Sequence, residues 1–423
     1  MVKAGYKNTE IGAIPEEWET KTFENCFTIL PNNTLSRAEL TNNGGEVRNI
    51  HYGDILIKYP SVLDCALESI PYVNSANVAK ISKGFLQNGD IIFADTAEDS
   101  IVGKAVEVTG IKDDKIVSGL HTIPCRPNAS NMFERKWLGY YINHAVYHDQ
   151  LLPFITGTKV SAISKGAILE TVIAIPPKEE QQNISTALSD IDSLIVSLEK
   201  LIAKKKAIKQ GAMQELLTKK RRLPGFSGEW KVVTVREIGK IVTGSTPSRQ
   251  VGQYWNGDFC WISAQDFNGK YIKNTAEKIS DEGKSRCRIL PKGTVLVTCI
   301  ASIGLNSIAL MECATNQQIN AIICNDGYYN EFVYYLISHN EKNMRLLAGQ
   351  TAFPIISKKQ FEEFTLYLPL DKKEQVSIAT VLSDMDNEIE ALEKKLAKYK
   401  GFKSGMMSEL FTGRIRLIDK EKS

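Results

Sequence analysis

The sequence predicts an α/β (α+β) protein in which two similar globular domains are separated by two long helices forming an antiparallel coiled coil, with approximate two-fold symmetry between the halves. Three observations carry that expectation. The first is length: 423 residues exceed what one hydrophobic core usually serves, so two or three domains are expected. The second is a gapless internal repeat, in which Glu180 to Asp192 aligns with Glu374 to Asp386 and about half of the later positions stay identical as far as Leu223 and Leu417. The third is the rhythm of apolar residues inside that repeat.

That rhythm alternates steps of four and three: Ile184, Leu188, Ile191, Ile195, Leu198 and Ile202 in the first copy, then Ile378, Leu382, Met385, Ile389, Leu392, Leu396 and Tyr399 in the second. A 3.5-residue period keeps one stripe facing a partner helix, which is the seam of a coiled coil. Each helix should run about 40 residues, a span of about 60 Å. Pro176-Pro177 and Pro369 stand just ahead of the helices, where a proline costs no intrahelical hydrogen bond. Gly211 and Gly405 fall at equivalent places inside the pattern, each costing about 1 kcal/mol relative to alanine. They mark either a tolerated weak point or a close backbone approach to the opposite helix or a partner.

The globular segments repeat more loosely. Leu86 to Phe93 matches Leu290 to Val297 as a turn feeding a buried strand. Aromatic-rich helices are expected near residues 133–152 and 330–347, and Ser164-Lys165 and Ser357-Lys358 each lead to a strand ending at Pro176 or Pro369. Leu223 to Trp230, entering the second domain, echoes Ile14 to Trp18, entering the first. The resulting boundaries are 1–177 and 223–370 for the globular domains, 178–222 for the first helix, and 371–423 for the second helix and tail. The first helix leaves domain one and enters domain two, so the second most simply runs back antiparallel. The expected shape is a dumbbell.

Composition narrows the functional classes. Net charge is +3, distributed as −4 over residues 1–177, +4 over 178–222, +2 over 223–370 and +1 over 371–423. Non-specific nucleic-acid affinity comes mainly from many Lys and Arg contacts to phosphate, so a chain this weakly charged would bind DNA with help. The eight cysteines never stand at C-x-x-C spacing, which points to reduced thiols and no zinc or redox site. No apolar run approaches the roughly 20 residues that cross a bilayer, and Met1-Val2-Lys3-Ala4-Gly5 has no apolar signal region, so a cytoplasmic protein is expected.

Two motifs point further. Ile175-Pro176-Pro177-Lys178-Glu179-Glu180-Gln181 and Leu368-Pro369-Leu370-Asp371-Lys372-Lys373-Glu374-Gln375 resemble the helix entries of type I restriction-modification specificity subunits. The helix endings Lys206 to Thr218 and Lys400 to Gly413 are similar to those of that family. Thr243-Gly244-Ser245-Thr246-Pro247-Ser248, Trp261-Ile262 and Thr315-Asn316-Gln317-Gln318-Ile319-Asn320 resemble its target recognition domains. The resemblance spans essentially the whole chain. It departs at Lys219, where the second copy has Gly413, and at Leu370, which replaces the second proline of the first copy.

The resemblance implies a DNA-binding subunit that is not an enzyme by itself. Each globular domain would read one half of an asymmetric, bipartite target in double-stranded DNA. The helices would set the spacer and dock two copies of the methyltransferase (modification) subunit, and restriction (translocase/endonuclease) subunits would complete the complex. This chain would bind no cofactor; S-adenosylmethionine, and ATP with Mg2+ for restriction, would belong to the partners. Two rigid domains a fixed distance apart suit half-sites about one helical turn apart.

Bases are read from groove edges by Arg, Lys, Asn, Gln, Ser and Thr, whereas phosphate contacts position the protein. Polar segments expected on loops are therefore the candidates. In domain one they are Arg48, Asn49, His51, His121, Thr158 and Lys159. In domain two they are Ser245, Thr246, Ser248, Arg249, Lys284, Arg286, Asn316, Gln317, Gln318, Gln350 and Thr351, with Lys358 for phosphate. Each has a plainer reading as a turn, a satisfied core group or a surface charge. The pairs Tyr254-Trp255 and Tyr140-Tyr141 read as core.

Catalytic patterns are missing. Pro176-Pro177-Lys178 lacks the flanks of a methyltransferase loop, Gly283-Lys284-Ser285 has Lys278 where a phosphate-binding loop needs its first glycine, and Glu229-Trp230-Lys231 lacks the Pro-Asp pair of a nuclease. The alternative reading is a non-catalytic coiled-coil adaptor without sequence readout.

Overall fold

The computed structural model describes residues 4–98, 100–157, 159–348 and 354–418. Its contacts divide into two compact units, residues 1–198 with 395–423 and residues 199–394. The divisions fall inside the two long helices, Lys178–Leu216 and Lys372–Phe411, of 39 and 40 residues. Each unit therefore holds a globular domain, the near half of one helix and the far half of the other.

Both units carry the same mixed sheet. In unit one its five strands lie in the order Phe27–Ile29, Thr122–Pro127, Ile91–Ala94, Ala105–Thr109, Val62–Asp64. In unit two the order is Gly239–Thr243, Ile319–Cys324, Val295–Thr298, Asn306–Ala309, Tyr271–Ile272. The last pairing is parallel in each sheet and the others are antiparallel. The central strands Ile91–Ala94 and Val295–Thr298 are buried throughout, as the Leu86/Leu290 alignment predicts for a strand covered on both faces. A smaller sheet sits beside each: Lys115–Ser118 runs parallel to Val47–Ile50, and Ala314–Thr315 runs parallel to the end of Trp255–Ile262. A two-stranded ribbon closes each domain, Glu19–Thr22 with Val172–Ile175 and Trp230–Thr234 with Thr365–Pro369.

The helix stripes dock on these domains. In unit one, Ile184 and Leu188 join Leu410 and Phe411 in a core with Trp18, Phe23, Phe93, Trp137 and Tyr141. In unit two, Met213, Leu216 and Leu217 join Ile378 and Leu382 against Trp230, Val297, Phe332 and Phe361. Full burial of each such side chain contributes about 1.5–3 kcal/mol. Within either unit the helix halves run antiparallel. Asp192 pairs with Lys403 while Asn183 meets Leu417, and Lys205 pairs with Glu388 while Arg222 meets Glu374. The seam of the first helix is buried from Ile184 to Ile202, whereas Leu392, Leu396 and Tyr399 of the second are only half-buried.

The Glu-Gln helix entry has a physical role. The fully buried Glu180 carboxylate accepts the Trp18 indole N–H at 2.9 Å and the Arg416 guanidinium at 2.6 and 2.9 Å. Glu374 accepts Trp230 at 3.2 Å and Arg222 at 2.8 and 2.7 Å. Next in sequence, Gln181 donates to the Pro176 carbonyl and accepts the Glu134 N–H, and Gln375 does the same with Pro369 and Tyr329. One residue neutralises a buried charge and the other closes the turn between domain and helix.

Several expectations need correction. The aromatic segment of unit one is not one helix but two short ones, Trp137–Ile142 and Ala145–His148, because Lys136 adopts a left-handed conformation and the His144 side chain caps the second. Its counterpart runs ten residues, Asn330–His339, before a second helix, Glu341–Leu347. Ile14-Pro15 belongs to a hairpin, Tyr6–Thr9 with Gly12–Pro15, so its echo at Leu223 is one of sequence only up to the tryptophan. A Cβ placed on Gly211 or Gly405 meets nothing within 4 Å, so neither marks a close approach inside this chain. The eight cysteines are free thiols, and no helix among the described residues is long and apolar enough to cross a membrane.

Candidate nucleic-acid interface

In unit two the segments singled out in the sequence come together at one end of the main sheet. The loop after Gly239–Thr243 crosses the turn after Ala314–Thr315, with Ser245 N–H donating to the Thr315 carbonyl at 2.7 Å and Thr246 Oγ1 bonding Gln317 at 2.5 Å. Gly244 is required there, since a Cβ would lie 2.0 Å from the Asn316 carbonyl oxygen. A third segment stitches the loop down: Arg288 donates from its backbone to Ser245 Oγ at 3.0 Å and from its guanidinium to the Thr243 carbonyl at 2.7 Å. The Trp261 indole donates to the Ser245 carbonyl at 3.1 Å. Arg249 forks onto Glu277 at 2.7 and 2.8 Å while stacking 3.7 Å above the Trp255 ring. The loop is fixed along its length before any ligand arrives, and it leaves Ser248, Arg249, Arg286, Gln317 and Gln318 exposed.

Unit one builds the same crossing from different residues. Strand register sets Ile29 against Ile241 and Thr122 against Ile319. Pro31 to Thr34 therefore stands where Thr243 to Thr246 stands, and Ser118 to His121 where Thr315 to Gln318 stands. The bonds agree: Asn33 N–H donates to the Ser118 carbonyl at 2.9 Å, as Ser245 does to Thr315. Asn32 Nδ2 donates to the Gly119 carbonyl at 3.2 Å, and Asn33 Nδ2 to Ser118 O at 2.9 Å and Asn49 Oδ1 at 2.6 Å. Sequence reasoning missed Asn32, Asn33 and Thr34. The Leu86/Leu290 alignment, extended through the strand order, is the signal that finds them.

The other candidates are dispersed. Arg48 and Asn49 are not on a loop: they lie in the strand Val47–Ile50, flanked on both sides, with Asn49 fully buried. Arg48 bonds the Cys65 carbonyl and pairs with Asp114 at 2.6 Å. His51 is buried too; its ring accepts the Gly53 N–H and caps a short helix, and burial together with the Arg37 charge lowers its pKa. His121 is half-exposed at the crossing, 3.3 Å from Asp95 and edge-on to Tyr52. Lys284 pairs with Glu312 at 2.9 Å, Lys358 opens a short helix and pairs with Glu362 at 3.4 Å, and Lys159 is exposed. Thr158, Gln350 and Thr351 lie outside the described residues. Tyr140 and Tyr141 are core, as expected, whereas Trp255 is half-buried under Arg249.

One buried acid escaped the sequence reading. Glu107 accepts the backbone N–H groups of Lys136 at 2.5 Å and Gly139 at 2.9 Å, at the start of the helix Trp137–Ile142. Burial pushes its pKa up to about 7 against the pull of those donors.

Comparison with known proteins places this arrangement. A family model described as "Type I restriction modification DNA specificity domain" matches residues 15–210 and again 227–399. The protein named "Putative type I restriction enzyme MjaX specificity subunit" of Methanocaldococcus jannaschii is 26% identical over 434 residues, spanning 97% of each chain. The type I restriction enzyme MjaIX specificity subunit of the same organism is 36% identical over 174 residues, 40% of each. The S subunit structure from M. genitalium superposes with a TM-score of 0.58 at 15% identity, covering 93% of this chain and 96% of that one. A structure described for complex assembly and conformational transition of the type I R-M system gives 0.58 at 17%, covering 95% and 99%.

Proposed function

The chain belongs to the type I restriction-modification DNA specificity family, and on that premise we propose that its two domains read the two different halves of one split, asymmetric DNA target. The observation that carries this reading is the pair of loop crossings. The sheets beneath them share strand order and register, yet Asn32-Asn33-Thr34 stands where Gly244-Ser245-Thr246 stands, and Gly119-Leu120-His121 where Asn316-Gln317-Gln318 stands. Conserved geometry under changed side chains is what two readers of different bases require, because base identity is read by side-chain donors and acceptors on groove edges.

The exposed Ser248, Arg249, Arg286, Gln317 and Gln318 are the contacts of unit two, with Ser245, Thr246 and Asn316 shaping the loop. His121 and Lys159 serve unit one. The long helices set the gap between half-sites and dock two methyltransferase subunits, which bring S-adenosylmethionine. Restriction subunits bring ATP and Mg2+. With its modest net charge of +3, the chain depends on those partners for much of its phosphate contact. The test is methylation-sensitive sequencing of host DNA with and without this chain. One split motif should lose methylation in its absence; an unchanged methylation pattern refutes the reading.

A further inference from the structure

Beside the crossing of unit one is a cleft of 220 Å³ lined by Pro31 to Leu35, Lys80 to Lys83, Val117 and Ser118. At the corresponding place in unit two the Arg288 guanidinium and the Cys287 thiol bond directly to the loop. The Leu86/Leu290 alignment sets Gly84 against Arg288 and Lys83 against Cys287. Gly84 lies directly against the Pro31 backbone, where a Cβ would stand 2.5 Å from the carbonyl oxygen, so no side chain reaches over the loop from that position, and Lys83 is exposed beside it.

Resting on the reading above, we infer that this cleft seats one strand of the target: Asn32 and Thr34 read a base edge, and Lys80 and Lys83 hold the adjoining phosphates. Four features support it. Lys80 and Lys83 are exposed and make no ion pair among the described residues. Thr34 is exposed and its hydroxyl is unused among the described residues. The Asn32 amide is oriented, because the Gly119 carbonyl at 3.2 Å can only accept and so fixes the nitrogen side inward. Its free Oδ1 is an acceptor alone. An acceptor at a groove edge selects an exocyclic amino group, adenine N6 or cytosine N4, over the carbonyls of guanine and thymine. Asn33, with both amide atoms engaged, is a positioning residue that holds Asn32 and Thr34 in register.

The full chain, assembled with its methyltransferase partners, tests this by methylation-sensitive sequencing and by DNA binding across a salt series. Asn32→Leu with Thr34→Val should relax one position of one half-site by roughly ten- to a hundredfold in discrimination, with the other half-site unchanged. Lys80→Ala with Lys83→Ala should weaken binding to all sequences alike and flatten the dependence of log K on log salt by about 2. Asn32→Asp, which keeps an acceptor, should retain the base choice. An unrelaxed half-site in the Asn32/Thr34 variant, with Thr246→Val still altering the other half-site, overturns the cleft and leaves the general reading standing. A wild-type chain that directs no methylation overturns that reading, and the cleft with it.

Discussion

The two units use one framework and differ where something packs against it. Strand register sets Glu107 of unit one against Ile308 of unit two; one position caps a helix with a buried carboxyl, the other is plain core. Lys219 and Gly413 follow the two long helices at equivalent places, both left-handed, at φ 62° and 66°. At Gly413 a Cβ would lie 2.4 Å from Pro15 of the hairpin, and unit two has no such hairpin before Trp230. The glycine is therefore dictated by a neighbour, and the lysine survives where that neighbour is missing. Unit two has its own addition: Lys270 donates to Glu331 at 2.8 Å and to Ser383 at 2.5 Å, tying the loop before Tyr271–Ile272 to the second helix. In both units Asp192 and Asp386 join a tyrosine to a lysine of the opposite helix. What the halves share is the joint; what separates them is local cover.

The sharpest way to break the comparison is at the shared joint. Glu180→Ala and Glu374→Ala each leave a guanidinium and an indole N–H without their buried acceptor, and each should destabilise its own unit by about 3 kcal/mol. Denaturant unfolding followed by hydrogen exchange would locate the loss, and an equal loss in both units from either change would contradict two separate joints.

One pH effect belongs to unit one, because the position of Glu107 is held by the non-titrating Ile308 in unit two. Glu107 has a folded pKa of about 7, above its unfolded value, so the folded state binds the extra proton. Its contribution is fully present below the unfolded carboxyl pKa and is lost as pH rises toward 7, by about 3 kcal/mol at most. Stability measured from pH 4.5 to 7.5 should lose that slope in Glu107→Gln, and a slope unchanged by the substitution would remove Glu107 as its source.

Smaller effects come from the helix ends. Gly413→Ala should destabilise by about 2 kcal/mol, since it adds both left-handed strain and a clash with Pro15. Lys219→Gly should stabilise by up to about 1 kcal/mol by relieving strain alone. Thermal melts of the two variants should move in opposite directions. Least of all, Lys206→Ala removes an exposed pair with Glu393 and should stay within about 0.5 kcal/mol of wild type.

The repeat and its 3.5-residue period made the long helices legible, because that seam depends only on local spacing. The offset between Leu86 and Leu290 likewise anticipated the central strand of both sheets. The Thr243 to Ser248 and Thr315 to Asn320 motifs, singled out separately in the sequence, meet at one crossing. What escaped was tertiary. Arg48 and Asn49 look like readers because they are polar, but strand pairing on both sides buries them: Arg48 bonds Cys65 and Asp114 and Asn49 Oδ1 accepts from Asn33, while Arg48 Nε and Asn49 Nδ2 stay buried without a hydrogen-bond partner among the described residues. Glu107 looks like one more surface acid until the helix start it caps is in place. The partners of Glu180 lie 162 residues before it and 236 after it, beyond the reach of any local pattern.

That last separation has a consequence in time. Arg222 is synthesised before Glu374, so unit two can close its buried pair as its own helix half emerges. Unit one is translated first yet waits for Arg416, 236 residues after Glu180, which at about 5–20 residues per second is on the order of 10 to 50 s. Throughout that interval a carboxylate destined for burial has no cation. The first domain begun is the last one finished.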